Sequence, residues 1–343
     1  MTYGLRYFDK VQVSNAEGTP GSAEAATEIF TGLIAAKPWD YHVKQDHHYS
    51  AGVLIPRSTA PTVVRKLAPF NYSNDMDDRE ICWLMSSALC AASIVTNTWT
   101  YAPTWTTTGN APGDTNGIST FTWEAGNNEL DGEVEYCFVQ RLEIAGTAGE
   151  LITVSADIVG RQFITTGSFT DLSATGIVAR EYFPFESAKF YIDAFDTDWA
   201  TTFTTPTQIL NVESFSFVLE TGFLPHFPAA GNTYFYDVTE NPEIKKATLT
   251  LEQSQVSASP SFDTELAASL AGTSRYVTVE LNGTGGTREV LIQMAGTYKE
   301  FPEGDREGVT TFNTVLGSVG YGVGSAAVDQ LDVTINSSLT AFP

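Results

Sequence analysis

The sequence predicts a mainly β protein in which one sheet-plus-helix unit is used twice. Three observations carry that expectation. Threonine, glycine and aromatic residues are plentiful while helix-favouring side chains are scarce, Lys and Arg together making only 18 of 343 residues. Short runs alternate apolar and polar with period two, as strands with one buried face do. Finally, the order strand, short helix, further strands occurs in residues 63–160 and again in residues 247–336, a repeat of pattern with little identity.

Taken in order, residues 11–31 pass from a strand-like start into a Gly, Pro and Ala-rich link, and residues 37–58 have the polar, aromatic character of an extended arm. Val63–Ser73 reads as a strand interrupted by Pro69, hence an edge or a bulge. A helix follows, capped by Asn74 or Asp75, favoured at its start by Asp77, Asp78 and Glu80, and striped on one face by Ile81, Leu84, Met85, Ala88 and Leu89. Residues 97–117 read as a projecting loop or long hairpin whose Trp99, Tyr101 and Trp105 either meet a partner surface or fold back onto the domain.

The stretch from Glu129 to Gly160 reads as a hairpin turning at Gly146–Gly149, with Val134, Tyr136, Phe138, Leu142 and Ile144, then Ile152, Val154, Ala156 and Ile158, on the buried face. Glu129, Asp131, Glu133 and Glu135 then share the opposite face, a self-repelling stripe that is either a solvated edge or a surface that has to be negative. Residues 163–208 form a connector with an aromatic stretch at 182–199. Strands resume at 212–220 and 247–252, a second helix spans 262–270, and strands at 275–281, 289–295 and 330–336 close the chain. The division expected is 1–162, a connector 163–208, and 209–343.

Eighteen basic residues against 41 acidic ones give a net charge of −23, which opposes adhesion to nucleic acid or to an anionic membrane. The first residues carry no cationic-then-apolar signal and no run is long enough to cross a bilayer, so cytoplasmic synthesis is expected. Cys82, Cys90 and Cys137, without CxxC spacing and in apolar settings, read as buried thiols.

Chemistry finds little purchase. His42, His47 and His48 with Asp46 lack a completing ligand pattern, and Asp193, Asp196 and Asp198 lack the glycine and glutamate of a calcium loop. No nucleophile elbow, Walker loop or dinucleotide fingerprint is present, and no carboxylate pair stands out among the 41 acids. No catalytic residue, metal or cofactor is expected.

The residues VQRLEIAGTAGELITVSADIVGRQ (Val139–Gln162), preceded by DMDDREICWLMSSALC (Asp75–Cys90) and EGTPGSAEAAT (Glu17–Thr27) and followed by GTREVLIQMAGTYKE and VDQLDVTINSS, resemble the tail tube proteins of long-tailed, non-contractile bacteriophages. Val159, Gly160 and Arg161 match the hydrophobic-Gly-Arg ending of a strand in that family. The resemblance spans nearly the whole chain. It implies two fused β-sandwich or split-barrel tube domains, three chains making a pseudo-sixfold ring, and rings stacking into a non-enzymatic virion tube, assembled in the host cytoplasm, through which genomic DNA passes without specific binding. Implied partners are further copies of the chain and, at the tube ends, tape measure, terminator and distal tail proteins, with no membrane. On that reading Glu129, Asp131, Glu133 and Glu135 are candidates to line the channel, and Trp99, Tyr101 and Trp105 to join successive rings. The competing readings are a terminator or distal tail ring, a carbohydrate-binding β-sandwich, and, weakest, a glycoside hydrolase.

Overall fold

The computed structural model describes residues 10–34, 40–44, 47–48, 57–58, 62–103, 109–114, 116–126, 131–165, 170, 172, 178–194, 206–229, 233–254, 262–306, 309–318 and 331–342. The described chain is mainly β, with α-helices at Glu80–Ala88 and Phe262–Leu270. At its centre is an antiparallel sheet in the order Thr62–Asp75, Thr153–Gly160, Asp131–Thr147, Val212–Glu220, Lys246–Ser254 and Val309–Ser318. The first three of these strands precede the connector and the last three follow it. They are joined by unbroken pairing of 141–147 with 214–220, in which Ile144 faces Phe217.

One face of this sheet is apolar because its strands alternate as the sequence does. Phe70, Tyr72, Val154, Ala156, Ile158, Leu142, Ile144, Phe215, Phe217, Leu219, Leu249 and Leu251 are all buried there, and each large side chain withdrawn from water contributes roughly 1.5–3 kcal/mol. Two further arrays of strands, each continuous with the central sheet through strand pairing, cover the face. One runs Ser93–Val95, Thr98–Tyr101, Leu331–Asn336, Glu289–Glu300, Ser274–Asn282, Lys189–Ala194 and Thr207–Ile209. The other joins Ala26–Phe30, Lys10–Ala16 and Phe121–Gly126 to the start of Asp131–Thr147. Phe190 of the former meets Phe215 at 5.3 Å and Trp123 of the latter meets Tyr72 at 5.4 Å. A contiguous core therefore draws on both halves of the chain.

Of the projecting loop or long hairpin expected over 97–117, residues 98–101 form a strand of a hairpin with Ser93–Val95. Thr98–Tyr101 pairs with the C-terminal strand, Trp99 opposite Ile335. Both Trp99 and Tyr101 are fully buried, the Trp99 indole N–H donating to the Leu339 carbonyl at 3.0 Å and the Tyr101 hydroxyl to the Cys82 carbonyl at 2.9 Å. They are core residues rather than a ring-joining surface, because each ring has a carbonyl for its polar atom and apolar neighbours for the rest. Trp105 lies outside the described residues.

The long strand Asp131–Thr147 departs from simple alternation. Its register slips against Phe121–Gly126 around Glu135 and Tyr136, and against Thr153–Gly160 at Gln140. Tyr136 takes a left-handed φ of 56° at the first slip, a conformation unfavourable for a bulky residue and held here by its N–H bond to the Glu17 carboxylate at 2.8 Å. Each one-residue slip exchanges the faces. Val134, Leu142 and Ile144 remain in the main core, whereas Tyr136 and Phe138, expected beside them, point the other way into a smaller cluster with Ile118, Val159, Phe223, Phe235 and Val238. The hairpin Phe223–His226 with Asp237–Glu240 supplies the lid of that cluster.

Pro69 sits where its missing N–H costs nothing. The outer edge of Thr62–Asp75 pairs with Asp40–Lys44 along 62–67 and with Leu33–Ile34 at 72–73, leaving Pro69 between the two. The next helix is capped by Asp77, not Asn74 or Asp75: its Oδ1 accepts the N–H groups of Arg79 and Glu80, both at 2.8 Å. All nine helical residues are buried, so the helix is enclosed rather than amphipathic.

That enclosure forces an ionic network. Arg180 donates to Asp77 at 2.7 Å, Glu80 at 2.6 Å and Glu28 at 3.2 Å, with its own side chain 2% exposed, and Arg79 forms a two-bond fork on Glu28. Burial, then the charge of Asp77, raises the Glu80 carboxyl to about 7 against the pull of Arg180, Tyr72 and Thr31, and burial also raises Asp77. A carboxyl raised in the folded state stabilises below its unfolded value and loses that contribution as pH climbs through the folded value. Glu80 thus contributes stability that is fully present below its ordinary carboxylate value and is lost as pH rises through about 7. The stability excess of the wild type over Glu80→Gln is expected to be larger near pH 5 than near pH 8 in denaturant titrations; an excess independent of pH would contradict the assignment.

Candidate functional site

On the reverse face of the central sheet the register places the side chains in rows across the strands. The first row is Asn71, Asp157, Arg141, Glu220 and Lys246, and the second Ser73, Ser155, Glu143, Val218, Thr248 and Gly317. The third is Asp75, Thr153, Ala145, Ser216, Thr250 and Val315, and the fourth Thr147, Ser214, Glu252 and Asn313. These positions alternate with the buried ones, so the same period that builds the core builds this face.

Hydroxyls and carboxylates predominate on this face, with Ala145, Val218, Val315 and Gly317 as its apolar positions and no aromatic ring in the rows. Both basic groups of the rows are held by neighbouring acids: Arg141 on Glu143 at 2.6 Å and Lys246 on Glu220 at 2.9 Å. Ser216 donates to Glu143 at 3.0 Å and Ser214 to Glu252 at 2.9 Å, while Asn71 bonds Asp157. Five carboxylates against two basic groups leave the rows at −3. Such a surface is wetted, smooth and repellent to phosphate. At one end it is bounded by the 223–240 hairpin, and at the other by the 147–150 turn.

Among the described residues no group of three or more His, Cys, Asp or Glu is arranged to hold a metal. The three cysteines are buried and unbridged, burial pushing the Cys90 thiol up to about 12 and raising Cys82 and Cys137 as well. Among the described helices none is long and apolar enough to cross a membrane. The chain matches no protein-family model and no curated protein sequence.

The predicted acidic stripe does not share this face as a unit. Glu129 lies outside the described residues, and of Asp131 only the strand backbone is described. Glu133 stands opposite Glu124 and Ile164, and Glu135, half-buried, faces Arg161 at 3.7 Å. The part of the strand that carries them pairs with Phe121–Gly126 and Phe163–Ile164, so they belong to that array and not to the rows of the central sheet. Burial raises both carboxyls, helped by Glu124 at Glu133 and opposed by Arg161 at Glu135. Arg161 is fixed there by the Gly21 carbonyl at 3.0 Å and by the Tyr136 ring 4.6 Å away. The rows beyond Gln140 were legible only as the polar half of ordinary alternation. Nothing in the residues said that strands from both halves would align them.

Proposed function

We propose that this chain is a non-catalytic structural protein that polymerises as stacked rings, three chains to a ring, into the tail tube of a long-tailed bacteriophage, with the reverse face of the central sheet lining the channel for DNA. What carries the reading is that face: strands from both halves form one uninterrupted sheet whose outward side is mainly polar and net negative, with both basic groups of its rows paired. A wall for a moving polyanion has to attract it as little as possible, and locked cations release no counterions. The two-unit tube-domain architecture and the tube-end partners implied by the resemblance belong to the same proposal. Burial of Trp99 and Tyr101 removes two aromatic platforms on which a carbohydrate-binding reading relied.

Negative-stain microscopy of the concentrated protein tests the assembly: rings or tubes with a central hole are expected, and particles without a hole would defeat it. The lining is tested separately. Ser216→Arg with Thr250→Arg places cations on the rows; tubes should still form but retain duplex DNA at least about tenfold more strongly at moderate salt. Equal retention by wild-type and variant tubes would move the channel to another surface.

A further inference from the structure

The charge of the chain is not evenly distributed along it. Residues 29–74 hold five of the 18 basic residues and two of the 41 acidic ones, leaving 13 against 39 in the rest. This stretch is therefore net positive by three in a chain of −23. It also holds three of the four histidines.

The described strands of this segment have a definite place. Residues 68–75 of the first strand lie in the central sheet against Thr153–Gly160, whereas 62–67 run past it, paired instead with Asp40–Lys44 as a two-stranded ribbon. Lys44, Arg65 and Lys66 lie on that ribbon against one acid, Asp40, and it also exposes Val43 at 55% and Val64 at 52%. A bond from the Lys66 N–H to the Thr233 carbonyl at 2.7 Å, and Arg65 over the Phe227 ring, seat its base on the 223–240 hairpin.

The opposite end of the same strands is acidic. There the 147–150 turn gathers exposed Asp75, Glu150 and Glu186 with half-buried Glu213: Asp75 pairs with Thr153, the Gly149 N–H donates to the Glu186 carboxylate at 3.0 Å, the Phe185 N–H to the Glu150 carbonyl at 3.1 Å and the Ala148 N–H to the Glu213 carbonyl at 2.9 Å. None of these four has an ion pair to a basic side chain among the described residues.

We infer that the basic ribbon docks on the acidic 147–150 turn of a second copy, so that copies join head to tail along the strand direction. Ends of opposite sign and the same strand axis make the contact heterologous, the kind that propagates instead of closing on itself as a pair. Exposed Val43 and Val64 add apolar area to a contact whose orientation is set by charge. The contact also resolves a difficulty of the composition, since copies of charge −23 repel at every approach except one that presents the positive segment. The inference rests on the self-assembly proposed above.

Sedimentation velocity and microscopy on the full chain test it, with Lys44→Glu/Lys66→Glu as the ribbon variant and Glu150→Lys/Glu186→Lys as the turn variant. Wild-type association should weaken at least about tenfold between low and high salt. Each variant alone should lose it by a similar factor, while an equimolar mixture of the two should co-assemble, because each then offers the other an end of opposite sign. Co-assembly of the mixture also shows that neither variant is merely unfolded. Variants that associate singly as the wild type does, or a mixture that stays dissociated while both remain folded by circular dichroism, would overturn the head-to-tail contact and leave assembly standing. A wild type that stays monomeric at every salt and concentration would overturn both.

Discussion

Arg180→Ala is expected to destabilise the protein by about 3–5 kcal/mol, a large part of the stability of an ordinary domain. The substitution would leave Asp77 and Glu80, whose side chains are 0% exposed, without the guanidinium that touches both and with only Arg79 on Glu28 nearby. Removing one member of a buried ionic cluster leaves uncompensated charge in a medium that solvates it poorly, and burial, with the charge of Asp77 second, already raises Glu80 while Arg180 is present. Lysine should not rescue it, because Arg180 uses two nitrogens on three carboxylates and the Ile29 carbonyl. Urea unfolding would measure the loss, and a shift below about 1 kcal/mol would show that the cluster is solvated. Arg180 lies in the stretch that the sequence presents as a connector, so the same experiment asks whether that stretch is a linker or an anchor.

Trp99→Ala is expected to cost a comparable 3–5 kcal/mol. The indole fills a fully buried site, packs on Phe342 with ring centroids 4.8 Å apart, and bonds the Leu339 carbonyl. Phe342 in turn contacts Trp83 at 4.9 Å and Phe121 at 5.3 Å, so the C-terminal segment is held by aromatic rings of the first half. Truncating Trp99 would leave a cavity, strand the Leu339 carbonyl and loosen Leu331–Asn336, which pairs with the strand carrying Trp99. The denaturant midpoint should fall, and Phe342→Ala should add less in the Trp99→Ala background than alone, since the two share one contact. A midpoint within the scatter of surface substitutions, about 0.5 kcal/mol, would return Trp99 to the exposed arm suggested by its sequence context.

Much of the local structure was legible because it depends on local periodicity. Ile152, Val154, Ala156 and Ile158 alternate, Val277, Val279 and Leu281 alternate, and all seven are buried as that pattern requires. The second helix, Phe262–Leu270, falls on its expected residues, and the first, Glu80–Ala88, within its expected stretch. The misreadings share one cause. Trp99 and Tyr101 looked like loop aromatics because Thr, Pro and Gly surround them, but a strand more than 230 residues away in sequence takes them as neighbours. The helix stripe of Ile81, Leu84 and Met85 implied a solvated reverse side, which the two covering arrays of strands and the Arg180 stretch instead enclose.

Glu129, Asp131, Glu133 and Glu135 show where alternation stops being informative. An odd-numbered stripe lies on one face only while the strand keeps step; here the second slip undoes the face change of the first. What separates Glu133 and Glu135 from the polar rows beyond Gln140 is that their part of the strand pairs with Phe121–Gly126 and Phe163–Ile164 instead of with the central sheet. A bulge is set by what the partner strands and Glu17 demand of Tyr136, and those partners are distant in sequence.

By itself the sequence determined the mainly β class, most strands, both helices, the acidic charge and the alternation that makes one face of each strand polar, since all of these follow from composition and from neighbours a few residues apart. Only the tertiary structure decided that strands of both halves form one sheet, that Arg180 and Trp99 are anchors, that a continuous polar face exists, and that the positive and negative ends lie at opposite ends of the strands. These depend on long-range pairing, whose register arises from closing a shared core and is written in no single stretch of the chain.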